Sequence, residues 1–559
     1  MESLMSAVRL MKPYCYMASI DLKDAYYSVP LASEHRKFVR FEWNGKLFQY
    51  TCLAFGLACC PRQFTKLMKP IFSQLRRKGI ECVSYIDDSY LQGDDENHCW
   101  QNVKETASLL QNLGFIVNYE KSVFLPSQRI NFLGFSLNSV NMTVRLTETK
   151  AQYLRERVEE LHTKERAKIR EVSQVLGLMV ASFPGVDLGP LFYRSLENCK
   201  IDALRSAKGN FEAFMTIDHD AKSDLLWWIE NISVSKKEVY RNDPTLVLRT
   251  DASKEGWGAE LGDKVTGGRW TEKESDCHIN HLEIKAVLFA LMALCSSFYN
   301  IHIQLQCDNT TAVSYINSMG GSRSRSCNKV AKEIWLWCLD REIWISATHL
   351  PGVENVIADR LSRNFNDETE WTIKNVVFNR IDHIWGPFQC DIFASRLNNK
   401  VSRFVSWRPD PFAIHIDAFS ISWVDMYFYA FPPFSMISRC LQKIEKEGAK
   451  GVIIVPDWST QSWYSRLFSM LIDVPRILPQ DRDLLTLPGL KKEHPLRKKM
   501  TLMACLLSGI NSERQEFRVK YLKSLSIRGE EARRFNTQFT SEDGRISVQG
   551  TRLVQPVPL

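Results

Sequence analysis

Tyr85-Ile86-Asp87-Asp88 sets two adjacent carboxylates at a bend between short apolar runs, Glu81-Cys82-Val83-Ser84 and Ser89-Tyr90-Leu91. Acids at such a turn make poor core and good oxygen ligands for hard cations such as Mg²⁺, which keeps waters and substrate phosphates as its other ligands. Two such ions clamp the attacking and leaving oxygens of an in-line phosphoryl transfer. An Asp-Asp turn alone is a common surface feature, so its weight depends on what lies near it. Asp21 ends a strand-like run from Tyr14, and its neighbour Ile20 must point to the opposite face. If that strand pairs beside the hairpin, three carboxylates gather and repel one another unless a cation holds them. A second acidic set follows: Asp251 ends Leu246–Asp251, Asp308 ends the alternating run Ile301–Asp308, and Asp359 lies within Glu354–Arg363. Its fourth member, Glu283, opens a helix that is apolar nearly all round, where a charge is costly unless paired or metal-bound.

The elements around these acids can be read from pattern. Asn44-Gly45 between Lys37–Trp43 and Lys46–Tyr50 predicts a tight hairpin. Phe64, Leu67, Met68, Ile71, Phe72 and Leu75 recur at helical spacing. Cys99 to Leu113 predicts a helix ending at Gly114, and Ile130 to Leu137 one further strand. Strands and helices mix without βαβ alternation over the first 140 residues, which predicts α+β, with helices on one face of a largely antiparallel sheet. Residues 147–242 read as helical and charged. His281 to Phe298 reads as a buried helix, residues 365–510 are rich in Trp, Phe and Pro, and residues 525–559 are polar enough to predict disorder.

Composition bounds the class. The chain has 559 residues, 45% hydrophobic and 24% charged, which is ordinary globular material for several domains. A net charge of +8 is compatible with a polyanionic partner. The 15 cysteines show no zinc spacing and read as reduced thiols. No signal peptide opens the chain, and the longest apolar run, Val287 to Leu294, is too short for a membrane span. The expectation is a soluble intracellular protein without membrane contact, nuclear and cytoplasmic residence being equally open. Lys491-Lys492 with Arg497-Lys498-Lys499 reads as a nuclear signal, a nucleic-acid contact or neither.

The ordered set Ile20-Asp21-Leu22-Lys23-Asp24-Ala25-Tyr26, Phe55-Gly56-Leu57 with Gln63, and Tyr85-Ile86-Asp87-Asp88 resembles the palm of reverse transcriptases. Leu113-Gly114-Phe115 with Asn118 and Lys121, then Phe132-Leu133-Gly134-Phe135, is similar to the later palm and primer-grip motifs. The resemblance implies that Asp21, Asp87 and Asp88 are catalytic metal ligands. It makes Tyr26 the steric gate against a 2′-hydroxyl, and it puts Phe55, Gly56, Gln63 and Lys121 at the template and nucleotide. Thr250-Asp251-Ala252-Ser253, Leu282-Glu283, Cys307-Asp308-Asn309 and His349-Leu350-Pro351-Gly352 before Asp359 resemble ribonuclease H. There Asp251, Glu283, Asp308 and Asp359 would hold the metals and His349 would assist product release or proton transfer. Two Mg²⁺ per site are implied, Mn²⁺ being an acceptable substitute. The implied partners are an RNA template, a DNA primer, dNTPs and the RNA–DNA hybrid. The basic loop Gly320–Arg325 with Lys329 reads equally as a phosphate-backbone track or a solvated loop.

Polymerase followed by ribonuclease H resembles retroelement polyproteins, most closely the DIRS-type retrotransposons among those weighed with gypsy-type elements and pararetroviruses. Asp391–Asn398, Phe431-Pro432-Pro433-Phe434, Val452–Pro456 and Trp463 resemble the adenine-methyltransferase-like region of such elements. Phe431 stands where active enzymes carry an amine-orienting Asp, Asn or Ser, and no clear glycine-rich S-adenosylmethionine loop appears, so the segment reads as methyltransferase-like in descent or as an aromatic structural domain. The expected domains are a palm with residual fingers (1–146), a helical thumb or connection (147–242), an α/β ribonuclease H-like fold (243–364), an α/β methyltransferase-like domain (365–524) and a disordered tail (525–559). Only 20 residues precede Asp21, so the fingers are expected to be truncated. The alternative function is therefore a catalytically impaired nucleic-acid-binding remnant that retains ribonuclease H at most.

Overall fold

The computed structural model describes residues 2–365, 370–481, 483–488, 494–495, 500–526, 547–549, 552–554 and 556–559. Lys491-Lys492 and Arg497-Lys498-Lys499 lie outside the described residues. The chain forms two compact units, Met1–Asn242 and Asp243–Leu559.

In the first unit, Tyr16–Lys23 is the central strand of a five-stranded sheet. Asp88–Gly93 pairs antiparallel with it and is joined by a hairpin to Glu81–Tyr85. Ile116–Val117 and Val123–Ser127 complete the sheet, also antiparallel to Tyr16–Lys23. Alternation sorts the central strand. Ala18, Ile20 and Leu22 join the core under the helices Cys60–Arg77 and Glu96–Asn112, while Met17 faces a second core. That second core runs across residue 146: it unites Val83, Tyr90, Ile130 and Leu137 with Leu154, Val172 and Trp228 of the helical region. The helices there are Glu148–His162, Ile169–Val180, Arg194–Ser206 and His219–Asn231.

Two local patterns resolve differently. Asn44 and Gly45 both take positive φ (50° and 73°), and Trp43 pairs with Lys46, so this hairpin forms as its sequence predicts. The single strand expected over Ile130–Leu137 is instead a hairpin, Arg129–Phe132 with Phe135–Asn138. Leu133 and Gly134 turn it at φ 50° and 77°. A leucine at positive φ is uncommon, which is why the apolar run masked the turn.

In the second unit, a five-stranded mixed sheet runs Lys264–Arg269, Gly256–Leu261, Leu246–Ala252, His302–Cys307, Trp344–His349. The first three strands are antiparallel neighbours and the last two join in parallel. The buried helix spans Ile279–Leu294, and Val356–Arg363 packs against Gly256–Leu261 and Leu246–Ala252. The approach is close enough to require glycine: a Cβ on Gly258 would lie 2.2 Å from the Ala358 carbonyl oxygen.

A six-stranded sheet follows, in the order Cys390–Asp391, Tyr427–Ala430, Lys450–Pro456, Leu502–Ser508, Arg476–Ile477, Val557–Pro558. Its first three strands are parallel. Val452 and Ile454 face one core, Ile453 and Val455 the other, so the apolar run is buried on both faces. The disordered tail expected over 525–559 is corrected at its end. Val554 is buried in the core, and Val557–Pro558 pairs in parallel with Arg476–Ile477. The tail's polar average hides these few apolar residues. No helix among the described residues is long and apolar enough to cross a membrane.

Gly258→Ala should force the Val356–Arg363 helix off the sheet and cost about 1–3 kcal/mol. In calorimetry the transition of the Asp243–Leu559 unit should move down while that of Met1–Asn242 stays in place.

Candidate functional site

The first acidic set is assembled by register. Asp21 stands directly opposite Asp88, and Asp87 occupies the two-residue turn between the Glu81–Tyr85 and Asp88–Gly93 strands. Ile86, the other turn residue, has φ 56°. For a β-branched residue that conformation is strained by about 1–3 kcal/mol and persists only where its surroundings impose it. Here Ile86 packs on the core that holds Ala18, Ile20 and Leu22, and the Leu22 amide donates to the Asp87 carbonyl at 3.0 Å. The Asp21 amide donates to Ser122 Oγ at 3.0 Å, and its carbonyl accepts from the Asn118 amide at 2.8 Å. Three chain segments are thus tied together at Asp21.

Asp87 and Asp88 are half-buried. Burial raises both carboxyls, Asp88 to about 6, and the neighbouring acids push the same way. The charge of exposed Lys121 opposes this for both. Tyr26 is buried, with its ring 5.1 Å from Phe55 and 5.7 Å from Phe64. Burial, then the Asp87 charge, raises its phenol. Phe55 is exposed and Gly56 turns the chain at φ +94°. Gln63 is exposed on the first turn of Cys60–Arg77.

The second group is tighter. Ligand oxygens of Asp251, Glu283 and Asp308 all lie within 4.8 Å of one another. Among the described residues, the first acidic set forms no group of that spacing. Glu283 is 4% exposed, and its Oε2 lacks a hydrogen-bond partner. Burial, then the charges of Asp251 and Asp308, pushes its carboxyl up to about 9. Asp251 is pushed up to about 6, by burial first and then by Asp308 and Asp359, against a hydrogen bond from Ser362. Three crowded carboxylates, one with an orphaned buried oxygen, fit a hard divalent cation: all donors are oxygen, and the ion would supply the missing partner.

Asp359 is not part of that group; its Oδ1 takes Nε and Nη2 of Arg363, each at 2.8 Å. His349 is exposed at the end of Trp344–His349, in register with Cys307. The loop after it backs onto Asp308, since a Cβ on Gly352 would lie 3.2 Å from Asp308 Oδ2. Sequence reasoning missed the hydroxyls. Ser362 Oγ donates to Asp251 Oδ2 at 2.6 Å, and Ser253 Oγ donates to the Ser362 carbonyl at 2.6 Å. The three-residue spacing from Asp359 to Ser362 on a helix was the available signal.

Residues 1–137 match the reverse transcriptase (RNA-dependent DNA polymerase) family. The chain is 21% identical over 389 residues to the enzymatic polyprotein of Figwort mosaic virus (strain DxS), covering 66% of this chain and 53% of that protein. It is 23% identical over 394 residues to the enzymatic polyprotein of Cauliflower mosaic virus (strain D/H), covering 65% and 52%. It is also 25% identical over 164 residues to the Pro-Pol polyprotein of Simian foamy virus type 1, covering 29% and 13%. The chain spans about half the length of the first two relatives. Among solved structures it is similar to a foamy viral protease-reverse transcriptase in complex with RNA/DNA hybrid. That match has TM-score 0.37 and 16% identity, and covers 67% of this chain and 51% of that one.

The raised carboxyls fix a sign. Glu283 titrates near 9 when folded against an ordinary 4.5, so its contribution to stability is full below about pH 4.5 and lost as pH rises toward 9. Asp251 acts likewise up to about pH 6. The melting temperature of the Asp243–Leu559 unit in EDTA should therefore fall between pH 5 and 9, and Glu283→Gln should flatten that slope. At pH 8 the same variant should melt higher by roughly 1–2 °C per kcal/mol of relieved burial and repulsion.

Proposed function

We propose that this chain is a retroelement RNA-directed DNA polymerase with ribonuclease H activity, of DIRS type. The observation that carries the reading is Asp21 facing Asp88, with Asp87 on the turn beside them, inside the segment that matches the reverse transcriptase family. Asp21, Asp87 and Asp88 would hold two divalent cations, Mg²⁺ or Mn²⁺. Bound there, the cations would neutralise charge on the attacking and leaving oxygens of an in-line displacement.

The residues of the chain divide the remaining work. The buried ring of Tyr26, wedged against Phe55 and Phe64 beside Asp87, limits space where the sugar of an incoming dNTP would lie. Phe55, Gly56 and Gln63 present an open surface to template and nucleotide, and Lys121 adds positive charge toward phosphates. In the second unit, Asp251, Glu283 and Asp308 would hold the cations for hydrolysis of the RNA strand of a hybrid. Asp359 would complete the set by turning from Arg363, and exposed His349 stands where it could exchange protons with solvent. The division of the chain between Asn242 and Asp243 supports assigning the two activities to separate units.

The C-terminal sheet is methyltransferase-like in descent on this reading. Its parallel strands carry Asp391 and Phe431-Pro432-Pro433-Phe434 at their carboxyl ends, beside a cavity of about 290 Å³ lined by Phe393, Trp407, Phe419 and Phe431. Phe431 supplies no oxygen to orient an amine, so methyl transfer is not part of the proposal.

Asp87→Asn should lower primer extension on an RNA template by roughly 100-fold or more while sparing cleavage of a labelled RNA–DNA hybrid. Asp308→Asn should do the reverse. Variants that leave both activities unchanged would sink the assignment.

A further inference from the structure

The acidic group of the second unit does not rest on the five-stranded sheet alone. Arg396, from the C-terminal region, inserts its side chain beside the Ile279–Leu294 helix and is 8% exposed. Its Nη1 lies 2.9 Å from Glu274 Oε2, and its Nη2 donates to the Arg269 carbonyl. The guanidinium sits 4.7 Å over the ring of Phe289, which is on the same helix as Glu283. Glu274 relays a second contact to that helix, because its Oε1 takes Lys285 Nζ at 2.8 Å, two residues from Glu283. The carboxyl of Glu274 is pushed up by burial, but Arg396 and Lys285 outweigh this and hold it at about 2. The clamp is itself braced. The Arg396 amide donates to Asp410 Oδ2 at 3.0 Å, Thr266 Oγ1 donates to the Pro409 carbonyl, and Phe412 meets Phe289 edge-on at 5.7 Å.

A buried guanidinium–carboxylate pair is weak evidence of added stability, since well-packed apolar residues often serve as well or better. What a guanidinium supplies is direction, through a rigid planar fork of donors and a face that stacks on rings. Direction matters here because the Glu283 helix is packed almost entirely through apolar side chains, which resist sliding or rotation only weakly. A ligand carboxylate has to be held within about 0.5 Å of its working position.

We propose that Arg396 is a positioning residue for the Glu283 carboxylate, which makes the C-terminal module part of the cation-holding device of the second unit. The inference rests on the reading of Asp251, Glu283 and Asp308 as cation ligands.

The test uses the full chain with Arg396→Met, which keeps much of the stem and removes the fork, and Arg396→Lys, which keeps the charge. Mg²⁺ is titrated against the melting transition of the Asp243–Leu559 unit, with Asp308→Asn as the variant that should lose the Mg²⁺-dependent shift. Cleavage of an RNA–DNA hybrid is titrated in parallel, and primer extension serves as an internal control. Arg396→Met should need roughly tenfold more Mg²⁺ for half of the melting shift and half-maximal cleavage per folded molecule. Arg396→Lys should recover part of the loss, and primer extension should not move. A wild-type Mg²⁺ midpoint in Arg396→Met overturns the inference, even if its melting temperature in EDTA falls, because that pattern belongs to a scaffold contact. Should Arg396→Met fail to fold, a wild-type midpoint in Arg396→Lys with wild-type cleavage overturns it in the same way. A wild-type chain with no Mg²⁺-dependent shift overturns it together with the cation site. A wild-type chain that shows the shift but cleaves no hybrid defeats the ribonuclease H reading alone, and the melting titrations still decide the role of Arg396.

Discussion

Repulsion between carboxylates held close together is the constraint around which both units are built. Like charges at a few ångströms in a partly dry setting oppose ionisation, and burial works in the same direction. Burial first, and then these neighbouring charges, pushes Glu283 up to about 9 and Asp88 up to about 6. A fold tolerates such groups only if stronger forces fix the backbone beneath them. In the first unit those forces are strand register and the hydrogen bonds that join Asp21 to Asn118 and Ser122. In the second they are an apolar helix, two linked serine hydroxyls and the close approach at Gly258.

The two units solve the problem to different degrees. The palm acids are half-buried and feel the Lys121 charge, so water and one cationic side chain already relieve them. They stay more open, and on the polymerase reading substrate phosphates would complete their ligand set. The second group is drawn within 4.8 Å with an orphaned Glu283 oxygen. Arg363 acts from the rim through Asp359. On the proposed reading the second group would take a cation before any nucleic acid arrives, and the first would take one together with its substrate.

Much of this was legible in the sequence, because the decisive features are local. Alternation along Tyr14–Asp21 set Ile20 and Asp21 on opposite faces, and Asn44-Gly45 specified its own turn. Glu283 stood out as an acid opening a helix that is apolar nearly all round. The misses have a common cause. Leu133 turns the chain at positive φ with no turn-forming side chain to announce it, and Val554 and Val557 are ordered by distant partners. Ser362 could have been found from helical spacing. Arg396 could not, since its partners Glu274, Arg269 and Phe289 lie more than a hundred residues away.

If the C-terminal sheet descends from a methyltransferase, as proposed above, Arg396 also bears on how its amine-methylating centre could decay in place. On that reading Phe431 stands where the chemistry would need an oxygen, yet the strands around it keep both faces buried, and Asp410 holds the backbone of the segment that carries Arg396. If that segment braces the Glu283 helix, selection on RNA cleavage is enough to keep the C-terminal sheet folded. On the same reading the lining of that pocket, where Phe431 sits, would be free to drift, while Arg396, Pro409 and Phe412 stayed fixed against the neighbouring sheet. The physical demand would have moved from the middle of the domain to its rim.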